Sequence, residues 1–150
     1  VSYLHRWRLH LKTGMAREEQ LDDRAGEFPR VNDHLLGRYT RYGYIARAPH
    51  NLQEAGAFDG LIKYDLETGS SSTHELGPER YCGEGLFVPR AGATAEDDGW
   101  LLSLVYDKNR DQSELLILAA QSIEAEPIAR ILMPQRVPYG FHGAWVPNHE

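Results

Sequence analysis

The opening segment decides most about what this chain can become. In YLHRWRLHLK, Tyr3, His5, Trp7, Leu9 and Leu11 fall on one side of a period of two, and Arg6, Arg8, His10 and Lys12 fall on the other. Successive side chains of extended backbone point to opposite sides, so this pattern predicts a strand with one buried face. LKTG, from Leu11 to Gly14, ends it with a turn signal, and LETG, from Leu66 to Gly69, closes the alternating run LIKYDL in the same way. Farther on, WLLSLVYD and SELLILAA are apolar runs joined by the polar turn KNRDQ, which predicts a hairpin. Units of several short strands at this spacing approach the ~40–50 residues of a propeller blade.

A helix through SELLILAAQSIEAEPIARIL competes, with a start at Ser113, but Pro127 breaks it and the apolar face from Leu115 to Leu118 suits a buried strand. We read this stretch as a strand followed by a loop. RAGATAEDDG, from Arg90 to Gly99, reads as a surface loop, and LDDRAGEFPR, from Leu21 to Arg30, reads as a turn-rich connection.

With 150 residues and no linker or low-complexity tract, residues 1–150 are expected to form one domain with no internal boundary. No apolar run approaches the roughly 18 residues of a bilayer-spanning helix, and the amino terminus, VSYLHRWRLHLKTG, reads as a strand rather than a signal peptide. A single cysteine, Cys82, fits a reducing compartment and a cytoplasmic location. A formal charge of −6 over mixed-sign segments supplies no basic field for nucleic acid. GRYTRYGYIAR imitates a single-strand stacking platform, yet arginines among tyrosines are equally what a half-exposed strand carries.

Of the seven histidines, His5 and His10 are an odd number of residues apart, so they face opposite sides of their strand and cannot share a metal. His34, His50, His74 and His149 lie in polar or terminal contexts and are expected to be exposed. His142 differs. It sits in VPYGFHGAW between Phe141 and Gly143, in a stretch that reads as apolar and extended, and a buried imidazole there must find hydrogen-bond partners or bind something. Its residue context alone favours a satisfied core histidine over a ligand.

No HExxH, CxxC or glycine-x-serine-x-glycine elbow is present, and GSSST, from Gly69 to Thr73, reads as a hairpin loop. Glu96, Asp97 and Asp98 are a solvated turn before they are a cation site. Glu27 and Glu84 each adjoin a strand-like apolar run. Either they are turn or strand-edge residues, or each accepts the free N–H of a metal-binding imidazole and fixes its tautomer.

Taken in order, EFPRVNDHLLGRYTRYGYIA, FDGLIKYDLETG, GEGLFVPRAGATAEDDGWLLSLVYD, SELLIL and RVPYGFHGAW resemble the carotenoid cleavage oxygenase family, including its lignostilbene-type members. The resemblance spans nearly the whole chain but only the carboxyl-terminal part of the family. It implies an all-β fold, the C-terminal blades of a seven-bladed β-propeller whose axis carries Fe(2+) held by four histidines. By the same resemblance His142 matches the last of those ligands, and Glu27 and Glu84 match carboxylates that hydrogen-bond to ligand histidines.

The implied reaction is oxidative cleavage, by O2, of a conjugated C=C bond in an apolar carotenoid, apocarotenoid or stilbene to two carbonyl products. The remaining blades, from the same or another polypeptide, must supply the other ligands, so the isolated chain is expected to be inactive. A metal-free propeller fragment acting as an oligomerising or binding module is the alternative. Two positions depart from the family. Gly85 stands where proline is usual and is expected to loosen the aim of Glu84, and Ala119 stands where aspartate is common, an alteration expected at a turn.

Overall fold

The computed structural model describes residues 2–49 and 57–148. His50 and His149 lie outside the described residues. Among the described residues, ten strands make two antiparallel sheets. The first is a meander of β1 (Tyr3–His10), β2 (Met15–Arg30), β3 (Tyr42–Arg47), β4 (Gly60–Asp65) and β5 (Ser70–Glu75), each strand paired with the next. In the second, β8 (Gly99–Asp107) and β9 (Gln112–Ala119) form the centre and β10 (Ala129–Leu132) pairs with β9. Two short strands, β6 (Arg80–Cys82) and β7 (Leu86–Pro89), lie one after the other along β8.

The turns at Leu11–Gly14, Leu66–Gly69 and between β8 and β9 fall where the sequence predicts them. SELLILA is a strand, followed by turns and by the short β10. Three expectations about the strands fail. LDDRAGEFPR is not a connection but the second half of β2, whose residues pair with β1 on one stretch and with β3 on the next, so its backbone groups stay engaged despite Gly26 and Pro29. GSSST contributes only Gly69 to the turn, and Ser70 onward pairs with β4. The face of β1 bearing Trp7 and Leu9 is not buried: these residues are exposed, because the hairpin with β2 reaches beyond the rest of the first sheet.

The core lies between the sheets. Tyr44, Ala46, Phe58, Leu61 and Leu76 from the first meet Cys82, Phe87, Leu101, Val105, Leu116 and Leu118 from the second. Alternation along β3 and β4 sends Ile45, Ile62 and Tyr64 to the opposite face, where Leu4 and Leu66 pack on them. An antiparallel bridge between Phe58 and Cys82 and the bond from Cys82 N–H to the Phe58 carbonyl at 2.8 Å stitch the sheets at one point.

The loop before β8 makes a second stitch. Glu96 accepts the backbone N–H groups of Arg41 and Tyr42 at 2.9 and 2.8 Å, and Lys63 donates to Asp97 at 2.6 Å. Asp97 is therefore a buried ion-pair partner rather than a solvated turn residue, because the loop folds inward against β4. His74, expected to be exposed, is buried on β5 with Nδ1 on the Ile123 carbonyl at 2.8 Å. His34 is exposed, as its context suggests.

Candidate functional site

Glu84 is aimed by a defect in pairing. Cys82 pairs with Val105 and Leu86 with Leu102, so three residues, Gly83 to Gly85, stand opposite two, Ser103 and Leu104. One extra residue is a β-bulge, which breaks the alternation and re-aims a side chain. The bulge is held by Gly83 N–H donating to the Leu104 carbonyl at 3.0 Å and Ser103 Oγ donating to the Gly83 carbonyl at 3.2 Å. Gly85 has less freedom than its residue type suggests: a Cβ there would stand 3.2 Å from both Leu61 and Leu101. Packing therefore curtails the looseness expected from a glycine at this position. Ala119, the other departure, ends β9.

The carboxylate of Glu84, 7% exposed, collects three donors. Oε1 accepts the Gly143 N–H, and Oε2 accepts His142 Nδ1 at 3.2 Å and Arg30 Nη1 at 3.3 Å. A carboxylate can only accept, so this contact places the His142 proton on Nδ1 and leaves the Nε2 lone pair free. No described residue hydrogen-bonds Nε2, and the side chain is 67% exposed.

The expectation of a buried imidazole thus fails within this chain. Phe141 and Trp145 are themselves exposed, and residues 133–148 form no strand. The ring is fixed instead by Glu84 and by Phe28, whose edge meets it at 5.2 Å between centroids and 76° between planes. Nor is His142 a satisfied core histidine.

Phe28 and Arg30 were not legible as site residues. Phe28 lies in a second bulge and Arg30 directly follows it: Glu27 pairs with Ala46 and Arg30 with Tyr44, so Phe28 and Pro29 oppose Ile45 alone. Phe28 takes a left-handed φ of 57°, and it packs on both Phe58 and His142. Glu27 stands beside this bulge, exposed, accepting Ser2 Oγ at 3.3 Å, and it hydrogen-bonds no histidine among the described residues. The FPR that follows Glu27 was the available signal, but its meaning depends on the register with β3.

His5 and His10 serve the first hairpin. His5 Nδ1 lies 2.6 Å from Glu18, and His10 Nδ1 receives the Thr13 N–H at 3.2 Å. Cys82 is buried and inert, its thiol pushed up to about 12 by burial.

The donor chemistry at His142 fits one corner of a divalent-metal centre: a neutral imidazole with its distal N–H held by a carboxylate and its other nitrogen outward. No group of three or more histidine, cysteine or carboxylate side chains that could hold a metal occurs among the described residues. His142 would therefore be one ligand among others supplied from elsewhere.

Two antiparallel sheets packed face to face, each with open edges among the described residues, fit part of a β-propeller. The family described as retinal pigment epithelial membrane protein (RPE65) matches residues 1–147. The chain is 45% identical over 148 residues to a carotenoid cleavage oxygenase of Mycobacterium tuberculosis, covering 97% of this chain and 29% of that protein. It is 40% identical over 141 residues to the apocarotenoid-15,15'-oxygenase of Synechocystis, covering 93% of this chain and 29% of that protein. The structure of cobalt-substituted Synechocystis apocarotenoid oxygenase superposes with a TM-score of 0.90 at 36% identity, over 97% of this chain and 30% of that one. The chain belongs to the RPE65 and carotenoid oxygenase family, and it spans under a third of the length of these relatives.

Proposed function

We propose that this segment contributes His142 as one imidazole ligand to a non-haem Fe(2+) centre in an oxygenase that cleaves a conjugated C=C bond. The substrate class is a carotenoid or apocarotenoid, with hydroxylated stilbenes as the related alternative. Each alkene carbon leaves as a carbonyl, and the two atoms of one O2 account for both oxygens. When bound, ferrous iron would supply the O2 chemistry.

The chain's own residues orient. Glu84 holds the Nδ1 proton and so presents the Nε2 lone pair, the Gly143 N–H anchors the other carboxylate oxygen, and Phe28 limits rotation of the ring. Glu27 is assigned the same orienting role toward a histidine outside this segment. The remaining blades complete the ligand set and enclose the apolar substrate, and the residues here form part of that one domain. A reducing cytoplasm suits both the ferrous state and the free Cys82.

The observation that carries this reading is the Glu84–His142 contact on an exposed imidazole whose Nε2 is bonded to no described residue. The printed activities of the relatives support the reaction class, and the cobalt-substituted relative supports a metal centre. In the full-length protein, His142→Ala should lose iron by elemental analysis and lose cleavage of an apocarotenoid followed by its visible absorbance. An iron-loaded, active variant rejects the ligand role. Product profiling against apocarotenoids and hydroxystilbenes decides between the substrates.

A further inference from the structure

We infer that Arg30 is a positioning residue for the metal centre, its guanidinium binding Glu84 and the Gly143 carbonyl into one unit that sets the direction of His142. This rests on the reading of His142 as a ligand. Arg30 follows the bulge of β2 in the first sheet, Glu84 occupies the bulge of the second, and Gly143 belongs to the segment beyond β10. One side chain, 19% exposed, thus joins three parts of the chain that share no strand pairing.

Its bonds divide between two ends. Nη2 donates to Asp33 at 3.0 Å to Oδ2 and 3.3 Å to Oδ1, which fixes the guanidinium plane. Nη1 is shared by Glu84 Oε2 at 3.3 Å and the Gly143 carbonyl at 3.4 Å. Both shared contacts are long, so their effect comes from charge and from reaching two acceptors together rather than from one strong bond.

Two consequences follow. The Glu84 carboxylate, nearly buried, has a full positive charge beside it as well as the imidazole and amide N–H groups, so it need not turn toward water. The peptide after His142 is held through its carbonyl by Arg30 and through its N–H by Glu84. Between β10 and this point the segment is tied by Met133 N–H to the Ser113 carbonyl at 2.8 Å, by Val137 N–H to Ser113 Oγ at 2.9 Å and by Arg136 and Tyr139 against the Tyr106 ring. The clamp at Arg30 and Glu84 grips the peptide next to the imidazole and so bears most directly on the ring's position. Lysine is no substitute, since a point charge cannot engage Asp33, Glu84 and the carbonyl at once.

The test uses the full-length protein loaded with Fe(2+) for chelator challenge and with Co(2+) for visible ligand-field spectra. Arg30→Met should release metal ~10–100-fold faster and shift the cobalt bands, with Arg30→Lys intermediate. Because Arg30 acts through Glu84, the double variant R30M/E84Q should release metal no faster than Glu84→Gln alone. Wild-type release and spectrum in Arg30→Met, or additive effects in the double variant, overturn the proposal.

If Arg30→Met does not fold, Asp33→Asn frees the far end of the same guanidinium. Faster release with shifted bands there supports the clamp, and unchanged values reject it. His142→Ala separates the two readings. Metal retained with unchanged cobalt bands rejects the ligand reading and the clamp together, whereas metal lost from His142→Ala but held normally by Arg30→Met rejects the clamp alone.

Discussion

Glu84 uses both carboxylate oxygens, and every partner is a donor: the Gly143 N–H, His142 Nδ1 and Arg30 Nη1. An amide cannot reproduce that set. Whichever way a glutamine side chain is turned at this position, its NH2 group faces one of these donors, so Glu84→Gln should leave the fold intact but weaken metal affinity by ~10–100-fold, read by chelator competition. Unchanged affinity would remove Glu84 from the site. A second buried residue makes a prediction unrelated to metal. Burial pushes the His74 pKa below its ordinary 6.5, and nearby Arg130 and Arg80 push the same way, against the raising influence of the Ile123 carbonyl. Nδ1 donates to that carbonyl, and Nε2 is buried without a partner among the described residues. The unfolded chain thus takes up the proton first as pH falls, so His74 contributes fully above about 6.5 and stability is lost from there down through the lower folded value. In metal-free protein, the drop in urea midpoint between pH 7.5 and 5.5 should shrink in His74→Gln. An equal drop in both proteins would show that His74 plays no part.

At the level of elements, two bulges do the work of aiming, one at Phe28–Pro29 in β2 and one at Gly83–Gly85 along β8. The second aims Glu84 where simple alternation would not, and the first sets Phe28 against His142 and leads into Arg30 beside Glu84. The second is walled in by the core, so Gly85→Ala would force a Cβ against Leu61 and Leu101 and should destabilise the protein by ~1–3 kcal/mol, measured by urea unfolding. An unchanged midpoint would mean that the two leucines relax freely. The bulges also explain which elements were legible. The first strand, the turns at Gly14 and Gly69 and the β8–β9 hairpin follow from alternation and turn chemistry, which are local. The second half of β2 was misread because Gly26 and Pro29 are turn residues in isolation and strand residues only once β3 lies alongside. Glu84 and His142 were legible as residue types in unusual company, whereas Arg30, whose partners are 54 and 113 positions away, was not. Asp97 was misread for the same reason, its partner Lys63 lying 34 positions back.

Taken whole, the two sheets bury one interface well and leave others open. Leu61, Leu101, Leu116 and Leu118 are fully enclosed between them. On the far face of the first sheet Ile45, Ile62 and Tyr64 are buried beneath Leu4 and Leu66, which are themselves only partly buried, and the hairpin beyond them exposes Trp7, Leu9, Leu11 and Met15. No helix among the described residues is long and apolar enough to cross a membrane. Among the described residues, strand β10 has no partner on its outer side, and on the first sheet β5 likewise ends the order. Open edges and apolar faces together are templates for pairing with another chain, and a propeller removes them by adding blades. Expressed alone, the 150-residue segment should therefore run well above its 17.0 kDa in light scattering, bind a hydrophobic dye and retain no iron. The full-length protein should be monodisperse and dye-silent. Replacing Trp7 and Leu9 with lysine in the isolated segment should reduce its association, since those side chains stand on the exposed hairpin and contribute nothing to the core between the sheets. A segment that is monomeric, dye-silent and cooperative in unfolding would show that these two blades are self-sufficient, and the need for further blades to complete the fold would then have to be abandoned.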